Sequence, residues 1–125
     1  CIVTDHAPHH VDEKNVEYNL AAFGISGIET SFALSYTYLV RGGVFDLSAL
    51  ADRMSVAPAR ILRLEGGRIA EGEIADLMLA DLQEKYVIDS KKFVSKGKNT
   101  PFNGMEVYGR VKYTIVDGAV KYQAQ

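Results

Sequence analysis

Asp5, His6, His9 and His10 fall within six residues, directly after the short apolar run Cys1-Ile2-Val3-Thr4. An aspartate can ligate a divalent metal and can also shuttle a proton from metal-bound water. A carboxylate and imidazoles at the C-terminal tip of a parallel strand stand where α/β barrels place their catalytic groups. The same residues also fit a polar loop whose histidines are merely exposed. Spacing leaves both readings open, because four nearby donors do not make a metal site and the pattern is not the zincin helix motif. Gly24 and Gly27 would allow a backbone to approach a ligand closely, or would simply make turns. Lys96, Lys98 and Asn99 suit either an anion or plain solvation, and Phe32, Tyr36 and Tyr38 read as helix packing. No Ser-His-Asp or Cys-His arrangement is legible.

The elements that must position these groups follow from periodicity. Residues 1–4 read as a buried parallel strand, and Pro8 bars a regular helix or central strand after it. Residues 11–27 read as a long loop. Ser26 and Glu29 have the spacing of a capping box ahead of a helix over about 29–41, which stops at Gly42-Gly43. Asp46 caps a second helix carrying Leu47, Leu50, Ala51 and Met54 on one side. Ser55 caps a third, with Pro58 in its first turn and Gly66-Gly67 at its end. Residues 74–80 then read as a buried strand and residues 86–88 as a short second one. Val111, Tyr113 and Ile115 alternate onto one face, and Asp117-Gly118 makes a two-residue hairpin turn into residues 119–122. Residues 95–104 form a loop. A lone buried strand needs parallel partners that this chain does not supply. With Cys1 in place of an initiator Met, the expectation is a piece of a longer protein.

Bulk properties remove several functions. A net charge of -2 with scattered Lys and Arg gives no footprint for nucleic acid or an anionic membrane surface. No apolar run approaches the roughly 20 residues that span a bilayer. No signal peptide is visible, and the single cysteine cannot form an internal disulfide, so a cytoplasmic location is expected.

Thr4-Asp5-His6-Ala7-Pro8-His9 resembles the T-D-H-A-P-H signature of bacterial dihydroorotases, members of the amidohydrolase superfamily. The likeness continues in order. Gly24 to Thr30 is similar to the family's G-I-x-G-[LI]-E-T segment, and Ser55 to Leu64 to its S-x-x-P-A-R-I-x-x-L helix. Gly72 to Leu79 looks like its E-G-x-x-A-D-L stretch, and Ser95 to Gly104 like a further motif near the C-terminus. Each later motif is shared with wider amidohydrolases, but the set is specific.

The resemblance implies an α/β fold, the C-terminal part of a (β/α)8 TIM barrel with a flanking β-sandwich. Residues 1–65 would be the end of the barrel, with residues 2–4 its last strand, and residues 66–125 the C-terminal part of the sandwich. The implied reaction is zinc-dependent, reversible cyclisation of N-carbamoyl-L-aspartate to L-dihydroorotate in pyrimidine synthesis. By position, Asp5 would ligate one of two zinc ions and act as general base and acid. His9 would bind the substrate's carboxylate, and Phe23 and Gly24 would offer main-chain groups to the ring. His6 receives no contact, and His10 is expected to be exposed. The remaining metal ligands and a carboxylate-binding Arg would lie upstream, so this chain alone is expected neither to hold zinc tightly nor to turn over substrate. The implied partners are the remainder of the parent chain, a homo-oligomer and aspartate transcarbamoylase. Competing readings are a hydantoinase or allantoinase, whose corresponding loops lack the second His, and a dead dihydroorotase-like scaffold for the transcarbamoylase. A free-standing β-rich binding module is disfavoured by apolar helix faces that need a partner.

Overall fold

The computed structural model describes residues 1–124. Three helices precede a three-stranded antiparallel sheet of order β1-β2-β3. Helix α1 is the single turn Val11–Lys14, inside the stretch expected to be all loop. Its cap is His10, whose ring accepts from the Asp12 amide while the Glu13 carboxylate accepts from the His10 amide. That reciprocal arrangement is a capping box built on a histidine.

Helix α2 spans residues 28–40 as a 3-10 turn Ile28–Thr30, an α-helical turn Ser31–Ser35 and a π-helical turn Tyr36–Val40. The expected helix is there, but its expected capping box is not. Gly27 caps it without a side-chain bond, because Ser26 and Glu29 are drawn to partners far along the chain. Helix α3 spans residues 47–62, and Asp46 caps it as expected, accepting from the Ala49 amide at 2.8 Å. Ser55 caps nothing. It lies inside one continuous helix, in the π-helical turn Asp52–Val56, and Val56 and Ala57 keep right-handed helical dihedrals. The wider turn ahead of Pro58 answers a steric need, since a proline ring clashes with the carbonyl four residues back in an α-helix. Arg63, left-handed at φ 56, ends α3 three residues before the first expected stop glycine.

Strand β1 runs Leu77–Val87, β2 Glu106–Val116 and β3 Ala119–Gln123. The two short strands expected at 74–80 and 86–88 are one strand with an irregularity between Asp81 and Lys85. There the Asp81 carboxylate accepts from the amides of Gln83 and Glu84, which replaces the interrupted ladder. Residues 74–76 are not strand. They hold the hairpin turn instead: Ala75 accepts from the Gly118 amide and Asp76 from the Asp117 amide. Asp117 and Gly118 have φ of 50 and 71, the paired left-handed residues of a type I′ turn, as expected.

The sheet lies against α2. Ala33, Ile88 and Val107 form the core cluster, flanked by Leu34, Tyr86, Phe93, Phe102 and Met105. Gly109 makes this approach possible, since a Cβ there would stand 2.9 Å from the Tyr36 ring. Thr37 ties the layers by accepting from the Tyr108 amide at 2.8 Å. Residues 1–4 depart from expectation. They form no strand; Ile2 donates to the Arg53 carbonyl, and the one nearby pairing is a parallel bridge between His6 and Ile25. A short parallel-type strand has no ladder without neighbours, and Val3 is 77% exposed.

Candidate active site

Asp5 adopts φ 44 and is exposed. A left-handed backbone costs most side chains about 1–2 kcal/mol, though Asp and Asn tolerate it better than others. It persists because the residues on its C-terminal side are fixed. His6 Nδ1 accepts from the amides of Gly27 at 3.2 Å and Ile28 at 3.4 Å, so this nitrogen carries no proton. The Ala7 amide donates to the Ile25 carbonyl at 3.0 Å. Gly24, at φ 122, presses on the same loop: a Cβ there would stand 2.5 Å from the Ala7 carbonyl oxygen. The loop at 5–9 and the loop at 23–27 are therefore one packed unit.

His9 is half-buried, and its Nδ1 stands 3.1 Å from the Glu13 carboxylate. That contact, followed by the His10 amide, holds the Glu13 carboxyl below its ordinary value. An ionised carboxylate there fixes the proton on Nδ1 and leaves Nε2 as the atom free to meet a ligand. His10 is exposed, as expected, although its ring serves as the α1 cap. Lys14 Nζ donates to the carbonyls of Ala22 and Gly24, which straps α1 to the glycine loop. The Phe23 side chain is 93% exposed beside this strap. Asp5, His9, Phe23 and Gly24 thus lie on two adjoining loops, one of them carrying both the carboxylate and the imidazole.

A third segment completes the arrangement. The Glu29 carboxylate accepts from the amides of Val94 and Ser95, each at 2.9 Å. Ser26, buried, donates its hydroxyl to the Gly97 carbonyl and its amide to the Asn99 carbonyl at 2.8 Å. A recess of about 500 Å3 opens where this segment meets the first loop, lined among others by His9, Lys14, Lys96, Lys98 and Asn99. Sequence reading missed the roles of His6, Glu13, Lys14, Ser26, Glu29 and Gly97. For Ser26 and Glu29 the local spacing pointed to a cap, and nothing local signals partners about 70 residues away.

Among the described residues, no group of three or more His, Cys, Asp or Glu side chains is placed to share a metal ion. A catalytic zinc takes about three protein ligands. The exposed Asp5 carboxylate fits one such ligand, and the described residues do not furnish the rest.

The chain as a whole resembles solved structures of a dihydropyrimidinase and a D-hydantoinase. The structure of dihydropyrimidinase from Brevibacillus agri matches with a TM-score of 0.88 at 26% identity, covering 95% of this chain and 27% of that one. D-hydantoinase from Thermus sp. matches with a TM-score of 0.85 at 31% identity, again over 95% and 27%. The fold is therefore that of part of a TIM-barrel amidohydrolase, the class expected. The amidohydrolase family pattern matches residues 1–121, and the chain belongs to that family. It is 52% identical to a dihydroorotase of Thermoanaerobacter sp. (strain X514), over 98% of this chain and 28% of that one. It is 47% identical to the dihydroorotase of Bacillus subtilis (strain 168), over the same shares. The chain spans about a quarter of the length of these relatives. Among the described residues no helix is long and apolar enough to cross a membrane.

Proposed function

We propose that this chain forms the Asp5 side of the active site of a zinc-dependent dihydroorotase, which interconverts N-carbamoyl-L-aspartate and L-dihydroorotate. One observation carries the reading: Asp5, at a left-handed turn, shares a loop with His9, and Gly24 backs that loop without room for a side chain. Identity of about half to dihydroorotases, against about a quarter to a third for the hydantoinase-type structures, supports this substrate over a hydantoin.

Asp5 is one zinc ligand in this reading. Zinc held in part by Asp5 would supply Lewis-acid polarisation of the amide carbonyl and activation of water. Asp5 takes the proton from the attacking water and passes it to the ring nitrogen as the amide opens; ring closure runs the same transfers backwards. His9, held at Nδ1 by Glu13, presents Nε2 to the substrate's carboxylate. Phe23 and Gly24 offer main-chain groups to the ring, and the absent Gly24 side chain keeps that approach open.

Residues 1–65 would close the barrel and residues 66–125 would belong to the sandwich, Gln125 lying outside the described residues. Val3, Phe23, Ile61, Leu62 and Leu64 are exposed, and an apolar surface of this kind calls for cover. The proposed cover is the remainder of a longer chain or a second copy of this one, and aspartate transcarbamoylase is a further proposed partner. The proposed location is the cytoplasm. The test is hydrolysis of dihydroorotate and of hydantoin by the zinc-loaded, full-length product of the gene. Preference for dihydroorotate is expected. Preference for hydantoin would reassign the substrate, and silence on both would favour a scaffold role.

A further inference from the structure

Gly97 lies outside the set of glycines with a left-handed backbone, so its conformation does not demand glycine. Proximity does. A Cβ at Gly97 would stand 2.6 Å from Pro8 Cβ and 3.1 Å from the His9 carbonyl oxygen. The same short loop is also pressed by Gly24, where a Cβ would meet Ala7 Cβ at 2.6 Å. The residues leading into His9 are thus gripped at two points, and neither grip leaves room for a methyl group. The Gly97 side of the grip does not float. Glu29 holds the amides of Val94 and Ser95, and buried Ser26 holds the carbonyls of Gly97 and Asn99. The same segment shares with His9 the walls of the 500 Å3 recess, through Lys96, Lys98 and Asn99.

We infer that the segment 94–99, which comes from the sheet end of the chain, is a positioning element for His9, with Gly97 as its contact point and Glu29 as its anchor. The inference rests on the proposed role of His9 at the substrate's carboxylate. Gly97 and Glu29 touch no reacting atom; they set where the imidazole stands. Displacing the segment therefore moves a binding group without moving Asp5, whose neighbour His6 is held by a separate set of bonds to Gly27 and Ile28.

The experiment is a set of variants in the zinc-loaded full-length enzyme, with dihydroorotate as substrate. Gly97→Ala is expected to raise KM about tenfold and to leave kcat and zinc content within about twofold, the pattern of lost ground-state binding. Glu29→Ala should do the same, and Glu29→Gln, which keeps one acceptor oxygen, should recover part of the loss. In a His9→Ala background Gly97→Ala should add nothing, because both changes act through one group. An undiminished further rise in that background, or a fall in kcat with KM unchanged, would overturn the inference. If Gly97→Ala does not fold, the exposed Glu29 variants carry the test. A spectroscopic readout separates this failure from failure of the dihydroorotase reading. The His9 imidazole resonance, assigned by its loss in His9→Ala, should move in Glu29→Ala whatever the substrate proves to be. An unmoved resonance refutes the positioning role, whereas an inactive wild type with a moved resonance refutes only the activity.

Discussion

The β1–β2 pair of the sheet and the loop at 5–9 are both held by partners distant in sequence, yet they distribute that hold differently. In the sheet the partners form a ladder. Leu77 through Val87 pair with Glu106 through Ile115, and although the register shifts between Leu79 and Ala80 and again between Asp81 and Lys85, pairing resumes beyond each shift. In the loop each contact stands alone: one imidazole nitrogen on Gly27 and Ile28, one amide on Ile25, one close approach at Gly24 and another at Gly97. A ladder spreads the cost of losing one bond over its neighbours, and a set of single contacts does not. The sheet is thus expected to absorb substitutions as stability, and the loop to express them as function.

The largest effect should come from the loop. Asp5→Asn in the full-length enzyme is expected to lower turnover of dihydroorotate about 10³-fold, the scale of a lost general acid–base. Melting should hardly change, since Asn tolerates the left-handed backbone that Asp5 adopts at φ 44. Asp5→Ala should lose as much activity and also about 1 kcal/mol of stability, because alanine does not tolerate that φ. Equal melting of the two variants would show that the turn is not strained. The sheet should behave in the opposite sense. Val107 is fully buried between sheet and α2, and Val107→Ala is expected to cost roughly 2 kcal/mol through transfer and cavity terms. Its kcat and KM below the melting transition should stay within about twofold. A Val107→Ala enzyme that melts normally but binds substrate poorly would break the contrast between the two regions.

The same contrast explains what could be read from the sequence. The hairpin turn was legible, because Asp117-Gly118 dictates it through local backbone preference; the expected single face of Val111, Tyr113 and Ile115 is not seen, since residues 110–115 are all half-buried and the ladder shifts register between Tyr113 and Val111. The Asp46 cap was legible for the same reason as the turn: the acceptor and its amide lie three residues apart. Asp5, His9, Phe23 and Gly24 were placed by resemblance to a family motif, and the structure brings their two loops into contact. What failed was local reasoning applied to non-local contacts. Ser26 and Glu29 carry the spacing of a capping box, but bonds to residues 94–99 outweigh the cap. Ser55 and Pro58 carry the signature of a helix start, yet a π-helical turn lets α3 run through them. His10 is a poor cap by type, and only the geometry at Glu13 reveals that it serves as one.

The smallest expected effect lies in pH, and it should separate the two regions by sign. Hydrogen bonding to His9 lowers the Glu13 carboxyl below its unfolded value. A group depressed on folding contributes stability that is present above its unfolded pKa and lost as pH falls through the folded one. Acid should therefore loosen the His9–Glu13 contact and α1 with it. In β1 the shifts run upward: the hydrogen bond to Glu106 raises Lys85, and burial raises the Tyr86 hydroxyl, against the opposing pull of Arg110. Groups raised on folding contribute stability below their unfolded pKa and lose it as pH climbs through the folded one. Alkali should therefore loosen the sheet at β1. Glu13 and Lys85 are solvated, so screening keeps both effects modest. Hydrogen exchange of the full-length protein, resolved by segment, reads them directly. Protection should fall first at residues 9–14 on the acid side and first at residues 84–87 on the alkaline side. Simultaneous loss in both segments at either extreme would show that loop and sheet open as a single unit, so that a ladder on one side does not shelter single contacts on the other.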